Sequence, residues 1–224
     1  MRKPVIAIDG YSSTGKSSIS KIIAQELGLV HMDTGALYRG ITYFALQNCL
    51  NNEGEINLSQ LFARLNEIHL EFKPIDQELV LFLNGINISN EIRRNDVAAN
   101  VSLIACQKEV RDSLLETQRE IAKNGGVILD GRDIGTVVLP NADYKFFLTA
   151  SVEERTKRRF LELQSLGIET DENAVMRNLI NRDKIDSERE VAPLRKASDA
   201  ILIDNTHLSK KETIVLILSQ IDDI

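Results

Sequence analysis

Cysteine is scarce in this chain: Cys49 and Cys106 are single residues among 224, without the spacing of a metal-ligand set. In a chain of this length they point to reduced core positions in a cytosolic protein, not to a thiol nucleophile. Long apolar stretches are missing as well, since no run approaches the roughly 18 residues of a membrane span. No repeats, low-complexity tracts or long linkers interrupt the sequence. Basic residues are outnumbered, 27 Lys and Arg against 33 Asp and Glu, for a net charge of −6. That balance argues against a partner held mainly through nucleic-acid backbone, which wants a basic face. Small phosphorylated ligands stay open, because a few clustered arginines bind them even on an acidic protein. At 43% hydrophobic residues the chain can bury a sizeable core in one domain, or in one domain with an insert. Met1-Arg2-Lys3-Pro4 leads straight into a predicted strand, so a signal peptide is not expected.

The most informative stretch is Gly10-Tyr11-Ser12-Ser13-Thr14-Gly15-Lys16-Ser17. An apolar run, Pro4-Val5-Ile6-Ala7-Ile8-Asp9, feeds it, and an amphipathic pattern with Ile19, Ile22, Ile23 and Leu27 leaves it. The order strand, glycine-rich loop, helix fits G-x-x-x-x-G-K-[ST], in which backbone N–H groups wrap a nucleotide's phosphates and the lysine reaches the β and γ groups. The positive end of the helix faces the same anion. Gly10 through Ser18 are therefore the candidate nucleotide-phosphate contacts, and either Ser17 or Ser18 could offer a hydroxyl to Mg²⁺ directly or through water. A surface turn that merely contains Gly and Lys would not carry these flanks.

Downstream, Leu29-Val30-His31-Met32 reads as a second strand, with His31 a packed, hydrogen-bonded histidine. Asp33-Thr34-Gly35 turns into a helix with Leu37, Ile41, Phe44 and Ala45 on one face, placing Tyr38 and Arg39 in its first turn. A cation near a helix N-terminus opposes the dipole unless an anion docks there, so Arg39 and Thr34 are candidate phosphate contacts. From about residue 56 to 122 simple alternation stops. A helix stripe (Leu58, Leu61, Phe62, Leu65, Ile68) precedes three short antiparallel strands, with Asn84-Gly85 a hairpin turn, and then two helices over residues 95–105 and 107–122. This segment is the expected inserted substrate lobe. Val127-Ile128-Leu129-Asp130 is a buried strand ending in an acid, and beside a phosphate loop such an Asp positions Mg²⁺ or its waters. The run Gly131-Arg132-Asp133 follows at the edge where open α/β sheets bind ligands; a structural ion pair is the plainer alternative.

Tyr144-Lys145-Phe146-Phe147-Leu148 is a further strand, and Ser151 opens a helix on which Arg155, Arg158 and Arg159 share a face. Glu153, Glu154 and Glu162 are available to pair with them as an ordinary surface. In Arg182-Asp183-Lys184-Ile185-Asp186-Ser187-Glu188-Arg189 the arginines lie two helical turns apart with Asp186 between them on the same face. That pattern suits a cover over phosphates, and residues 155–192 are the expected lid region. Ile201 to Asp204 forms a last strand, and Ile214, Ile217, Leu218 and Ile221 mark a closing helix. The predicted fold is α/β, three layers around a parallel central sheet in one domain over residues 1–224, with an inserted lobe of helices and a small antiparallel sheet. A phosphate cradle, separate arginines and an arginine-rich cover together suit phosphoryl transfer onto a second phosphorylated small molecule. Lys16 with Mg²⁺ would hold the donor, and Arg39, Arg182 and Arg189 the acceptor phosphate. Arg132, Arg155 and Arg158 complete the candidate charge-stabilising set.

These motifs, taken together, resemble the bacterial cytidylate kinases of the P-loop nucleoside monophosphate kinase superfamily, nearly end to end. The matching pieces are the loop at Gly10 to Ser18, Asp33-Thr34-Gly35-Ala36-Leu37-Tyr38-Arg39, Glu91-Ile92-Arg93, Asp130 through Val138, and Arg182 through Arg189 with Ala192-Pro193-Leu194. The resemblance implies a P-loop NTPase fold, ATP-dependent phosphorylation of CMP and dCMP, an inserted monophosphate lobe and an arginine-bearing lid. It also implies monophosphate-side contacts at Thr34, Arg39, Arg182, Asp186 and Arg189, and contacts near base and sugar at Ser102, Arg111 and Asp133; Asp33, which opens the second motif, is a further candidate substrate contact. A carboxylate facing cytosine's amino group and an arginine facing its ring acceptors would prefer cytosine over uracil, which reverses donor and acceptor there. A cytoplasmic monomer with no nucleic-acid or membrane partner is expected. Tyr11 stands where the family usually has Pro, Ser13 where Gly is common, and Thr34 where Ser is usual. Two other readings remain open at this stage. One is a kinase for a different small acceptor. The other is a guanine-nucleotide switch, although Phe146-Phe147-Leu148-Thr149-Ala150 is not followed by the Asn-Lys-x-Asp that reads guanine.

Overall fold

A computed structural model of the chain describes residues 2–75 and 78–221. The chain divides into two compact units, Met1–Met32 with Ile121–Ile224, and Asp33–Glu120. In the first, β1 (Val5–Gly10) is apolar without alternation as far as Ile8 and buried along its whole length, as a strand covered on both faces must be. The phosphate loop leads into α1 (Lys16–Leu27) and then β2 (Val30–Asp33). After the other unit come β6 (Val127–Gly131), a five-residue π-turn (Ile134–Val138), β7 (Tyr144–Thr149), α6 (Val152–Ser165), α7 (Glu172–Glu188), β8 (Ile201–Asp204) and α8 (Lys210–Leu218). The sheet has the order β2-β6-β1-β7-β8, with β6, β1, β7 and β8 parallel.

One face of the sheet packs against α1 and α8. Ile6, Ile8, Ile128, Phe146, Leu148 and Ile203 from the strands meet Ile19, Ile23, Ala24, Ile214 and Ile217 from the helices. Removing one such side chain to Ala costs about 2–5 kcal/mol, so this core fixes the strand ends that carry the chemistry. The α6–α7 hairpin has a separate small core of Leu163, Val175 and Leu179, with Phe160 and Ile168 against it. That independence suits a cover.

The unit Asp33–Glu120 contains α2 (Thr34–Asn48), α3 (Leu58–Ala63), the antiparallel β3 (Leu70–Ile75), β4 (Glu78–Leu83) and β5 (Ile86–Asn87), then α4 (Asn95–Ala105) and α5 (Lys108–Ala122), the last of which runs on past Glu120. The Asn84-Gly85 turn has φ of 49° and 81°, the mirror-image geometry expected of a tight hairpin. The unit starts earlier than the expected 56–122 insert, because Gly40 of α2 lies directly under Leu70, Leu81 and Ile88. Cys49 is buried and Cys106 half-buried, and neither is in a disulfide. No helix among the described residues is long and apolar enough to cross a membrane.

Four local expectations need correction. β2 passes directly into α2 with no residue between strand and helix, so the helix begins at Thr34 and Arg39 falls in its second turn, not its first. The stripe from Leu58 to Ile68 is not one helix: α3 stops at Ala63, where Arg64 leaves helical geometry, and a 3-10 turn (Leu65–Glu67) follows. Arg182 and Arg189 do not share one helix, because α7 ends at Glu188 and Arg189 is its extended cap, with ψ of 143°. The closing helix likewise ends at Leu218, short of Ile221.

Candidate active site

The phosphate loop is tied from three sides. Within it, the Tyr11 carbonyl accepts from Thr14 Oγ1 at 3.0 Å and from Lys16 Nζ at 2.7 Å. At its base a Cβ on Gly10 would lie 2.1 Å from the Leu148 carbonyl oxygen, so only glycine lets β1 turn there against β7. From β8, Asn205 donates Nδ2–H to the Thr14 carbonyl at 2.9 Å. Ser13 takes φ of 60° in the left-handed region, a conformation that favours the glycine common at this position in the family it resembles.

At the loop's helical end Ser17 and Ser18 diverge. Ser17 Oγ donates to Asp130 Oδ2 at 2.7 Å, while Ser18 Oγ turns back to the Gly15 carbonyl at 3.0 Å. His31 Nε2 lies 2.6 Å from the other oxygen of Asp130, so the expected hydrogen-bonded histidine orients the acid that closes β6. Lys16 is buried. Burial and the nearby Arg132 guanidinium lower its ammonium to about 7, against the pull of Asp130, Asp9 and Asp186.

Arginines reach the loop along two routes. Arg132 donates Nη2–H to Ser12 Oγ at 2.7 Å and Nε–H to Asp186 Oδ2 at 2.8 Å. Arg155 donates Nη1–H to the Ser12 carbonyl at 3.3 Å and to Asp183 Oδ2 at 2.6 Å, and its guanidinium lies 5.2 Å from the centre of the Tyr11 ring. Burial works to raise the Asp186 carboxyl, yet Arg132, with Arg189 and Arg182 beyond it, holds it below the usual carboxylate range. Arg189 donates Nε–H to the Ala192 carbonyl at 2.7 Å and Nη2–H to Asp133 Oδ1 at 3.3 Å. Ala192 presents that carbonyl from a left-handed φ of 50°. The sheet unit thus brings Arg132, Asp133, Arg155, Asp183, Asp186 and Arg189 into one chain of buried or half-buried charges beside the loop. Arg158 is elsewhere: it pairs with Glu154 and holds Asn205. Arg159 pairs with Glu162 as a surface residue.

In the other unit, Arg39 Nη2 donates to Asp33 Oδ2 at 2.7 Å, and Thr34 is buried at the first position of α2. Arg111 is buried with its guanidinium 5.3 Å from the centre of the Tyr38 ring, and Nη1 reaches the Ala105 carbonyl at 3.2 Å. Ser102 is buried on α4.

A nucleotide cradle with arginines and acids interleaved behind it narrows the choice of family, and the sequence decides it. The profile of the family described as cytidylate kinase matches residues 6–223. The chain belongs to the cytidylate kinase family. A cytidylate kinase from Flavobacterium johnsoniae is 46% identical over 227 residues, spanning 100% of this chain and 98% of that relative. One from a Geobacillus species is 47% identical over 218 residues, spanning 97% and 96%. The crystal structure of an uncharacterized protein from Eubacterium ventriosum, at 15% identity and TM-score 0.51 over 98% of each chain, shares the fold.

Two residues of this cytidylate kinase site were not found in the sequence. Asn205 follows β8 at the sheet's ligand-binding edge, and that position was its only signal. Asp9 is the other. Its carboxylate accepts from the backbone N–H groups of Ile134 at 2.8 Å and Gly135 at 2.7 Å. Burial drives this carboxyl up to about 7, although those two N–H groups pull it down; Asp133 adds to the rise and Lys16 opposes it.

Proposed function

We propose that the chain works as its family does, transferring the γ-phosphoryl group of ATP to CMP and dCMP to give ADP and the diphosphates. The observation that carries this reading at the level of residues is the ladder of Arg132–Asp186 and Arg189–Asp133 pairs beside a loop whose lysine is already turned inward. Guanidinium groups held in place by carboxylates are oriented before substrate arrives, so they stabilise charge on a transferring phosphoryl group with little reorganisation.

In this scheme Gly10 through Ser18 wrap the triphosphate, and Lys16 exchanges the Tyr11 carbonyl for β- and γ-phosphate oxygens. Arg132, Arg155, Arg182 and Arg189 neutralise the charge that spreads over the transferring group, and Arg158 supports the loop through Asn205. Arg39 and Thr34, with Asp33 orienting Arg39, bind the acceptor phosphate. Asp186 orders the arginines around that phosphate. Asp133, Arg111 and Ser102 read the base and sugar, a carboxylate and a guanidinium suiting the amino group and ring acceptors of cytosine.

Ser17 and Asp130 fit Mg²⁺: a hydroxyl and a carboxylate 2.7 Å apart are hard oxygen donors. Among the described residues no group of three or more His, Cys, Asp or Glu forms a metal cage, and Mg²⁺ ordinarily takes one or two carboxylates with substrate phosphates and waters. Ser17 suits this role better than Ser18, whose hydroxyl is committed to Gly15. Held by Ser17 and Asp130, Mg²⁺ would supply charge neutralisation to the donor phosphates. The enzyme is read as a cytoplasmic monomer acting on free nucleotides.

The test is ADP release with Mg-ATP and CMP, dCMP, UMP, AMP, GMP or shikimate as acceptor. CMP and dCMP far ahead of the rest are expected. Failure of every acceptor while ATP still binds would overturn the assignment.

A further inference from the structure

Asp9 stands outside the roles assigned above. It immediately precedes Gly10, is only 4% exposed, and lies opposite Gly131 in the β1–β6 register. Its two oxygens take the N–H groups of the first two residues of the π-turn, donors that a helical turn leaves without carbonyl partners of its own. At Gly135 a Cβ would make an ordinary 3.4 Å contact with Asp9 Oδ2 and a tighter one, 3.2 Å, with Lys145 Cδ, so the turn has room for no more than a methyl group there. At its far end the same turn returns the Val137 and Val138 N–H groups to the Asp133 carbonyl at 2.9 and 3.1 Å. Asp133 is therefore held by a turn that is itself held by Asp9. Position 9 is fixed in turn, because Gly10 is pressed against the Leu148 carbonyl.

We infer that Asp9 is a positioning residue for acceptor selectivity: it clamps the π-turn to the strand that feeds the phosphate loop and so fixes the reach of Asp133 toward the pyrimidine. This rests on the reading of Asp133 as a base contact. Asparagine at position 9 would keep one acceptor and turn an NH₂ group toward a backbone N–H, losing one bond and opposing two donors.

The test compares the wild-type chain with Asp9→Asn, Gly135→Val and Asp133→Asn at about pH 8, above the value of about 7 to which burial raises the Asp9 carboxyl. Losing a hydrogen bond to a charged group should raise KM for CMP about tenfold in Asp9→Asn and narrow the CMP-to-UMP ratio of kcat/KM by a similar factor. KM for ATP should stay within about twofold of wild type, a split that general loosening of the fold would not give. Gly135→Val keeps the acid but adds two methyl groups beyond a Cβ already in contact with Asp9 Oδ2 and tight against Lys145 Cδ, which pushes the turn off the carboxylate and should move the same constants in the same direction. Should Asp9→Asn not fold, Gly135→Val decides by the same criteria. Wild-type selectivity in the folded variant, or a joint rise of both KM values, overturns the inference. If Asp133→Asn loses selectivity while Asp9→Asn keeps it, only the positioning role falls. If Asp133→Asn itself keeps selectivity, the reading of Asp133 falls and the inference with it.

Discussion

The two units pair their charges differently. In the sheet unit, beside local pairs such as Arg159 with Glu162, three ion pairs join residues distant in sequence and largely out of water: Arg155 with Asp183, Arg132 with Asp186, Arg189 with Asp133. In Asp33–Glu120 many pairs are near neighbours on the surface, such as Arg64 with Glu67, Arg94 with Asp96 and Lys108 with Asp112. Burying charge costs desolvation that a hydrophobic pair would not, so buried long-range pairs are weak devices for stability and good markers of function. Exposed local pairs contribute little to either. Arg39 with Asp33 and Arg111 over Tyr38 depart from the surface pattern of their unit, and these are two arginines assigned to the acceptor.

The largest effect should come from Arg189→Ala, which removes charge stabilisation from the transferring group and should lower kcat about a hundredfold to a thousandfold. Circular dichroism should stay that of a folded protein; near-normal turnover would take Arg189 out of the mechanism. Arg155→Ala strands Asp183 without its partner, and chemical denaturation should register a loss of about 3 kcal/mol. An unchanged midpoint would mean that buried pairs here are no different from surface ones.

Asp9 gives a pH-dependent version of the comparison. Its carboxyl is raised from 3.8 to about 7 in the folded protein, so the folded state holds this proton more tightly than the unfolded chain does. Stability from that proton is complete below the lower value and lost as pH climbs through the upper one. Asn does not titrate, so melting of Asp9→Asn should improve relative to wild type between about pH 5 and 8. A constant difference across that range would refute the raised value. Ser13→Gly releases a left-handed serine and should stabilise the protein by up to about 1 kcal/mol in thermal melts, less the unfolded-chain entropy that glycine adds. Lys108→Ala, breaking an exposed pair on α5, should leave the melting temperature unchanged. A clear drop would remove the contrast between the units.

Local features were legible in the sequence. The phosphate loop, the Asn84-Gly85 hairpin and the acid ending β6 depend on neighbours within a few residues, and each stands where its pattern places it. The end of α7 was not legible, because Arg189 leaves the helix to meet Ala192 and Asp133, the latter 56 residues away. Nor was the π-turn: its opening is set by Asp9, 125 residues earlier, which in the sequence is only the polar end of an apolar run. Arg155, Arg158 and Arg159 are a third case. Helical spacing places them on one face, but only tertiary partners separate the buried Arg155 from the partly exposed Arg158 and Arg159.

The bond from Lys16 to the Tyr11 carbonyl means that the lysine is never idle. An incoming anion must outbid a neutral oxygen already at 2.7 Å, and a small monovalent ion offering one acceptor gains little by the exchange. A polyphosphate replaces that acceptor with several and engages the loop's N–H groups in the same event. Chloride or acetate at cellular concentrations should therefore leave the loop to its nucleotide, a discrimination that comes from the resting contact and needs no gate.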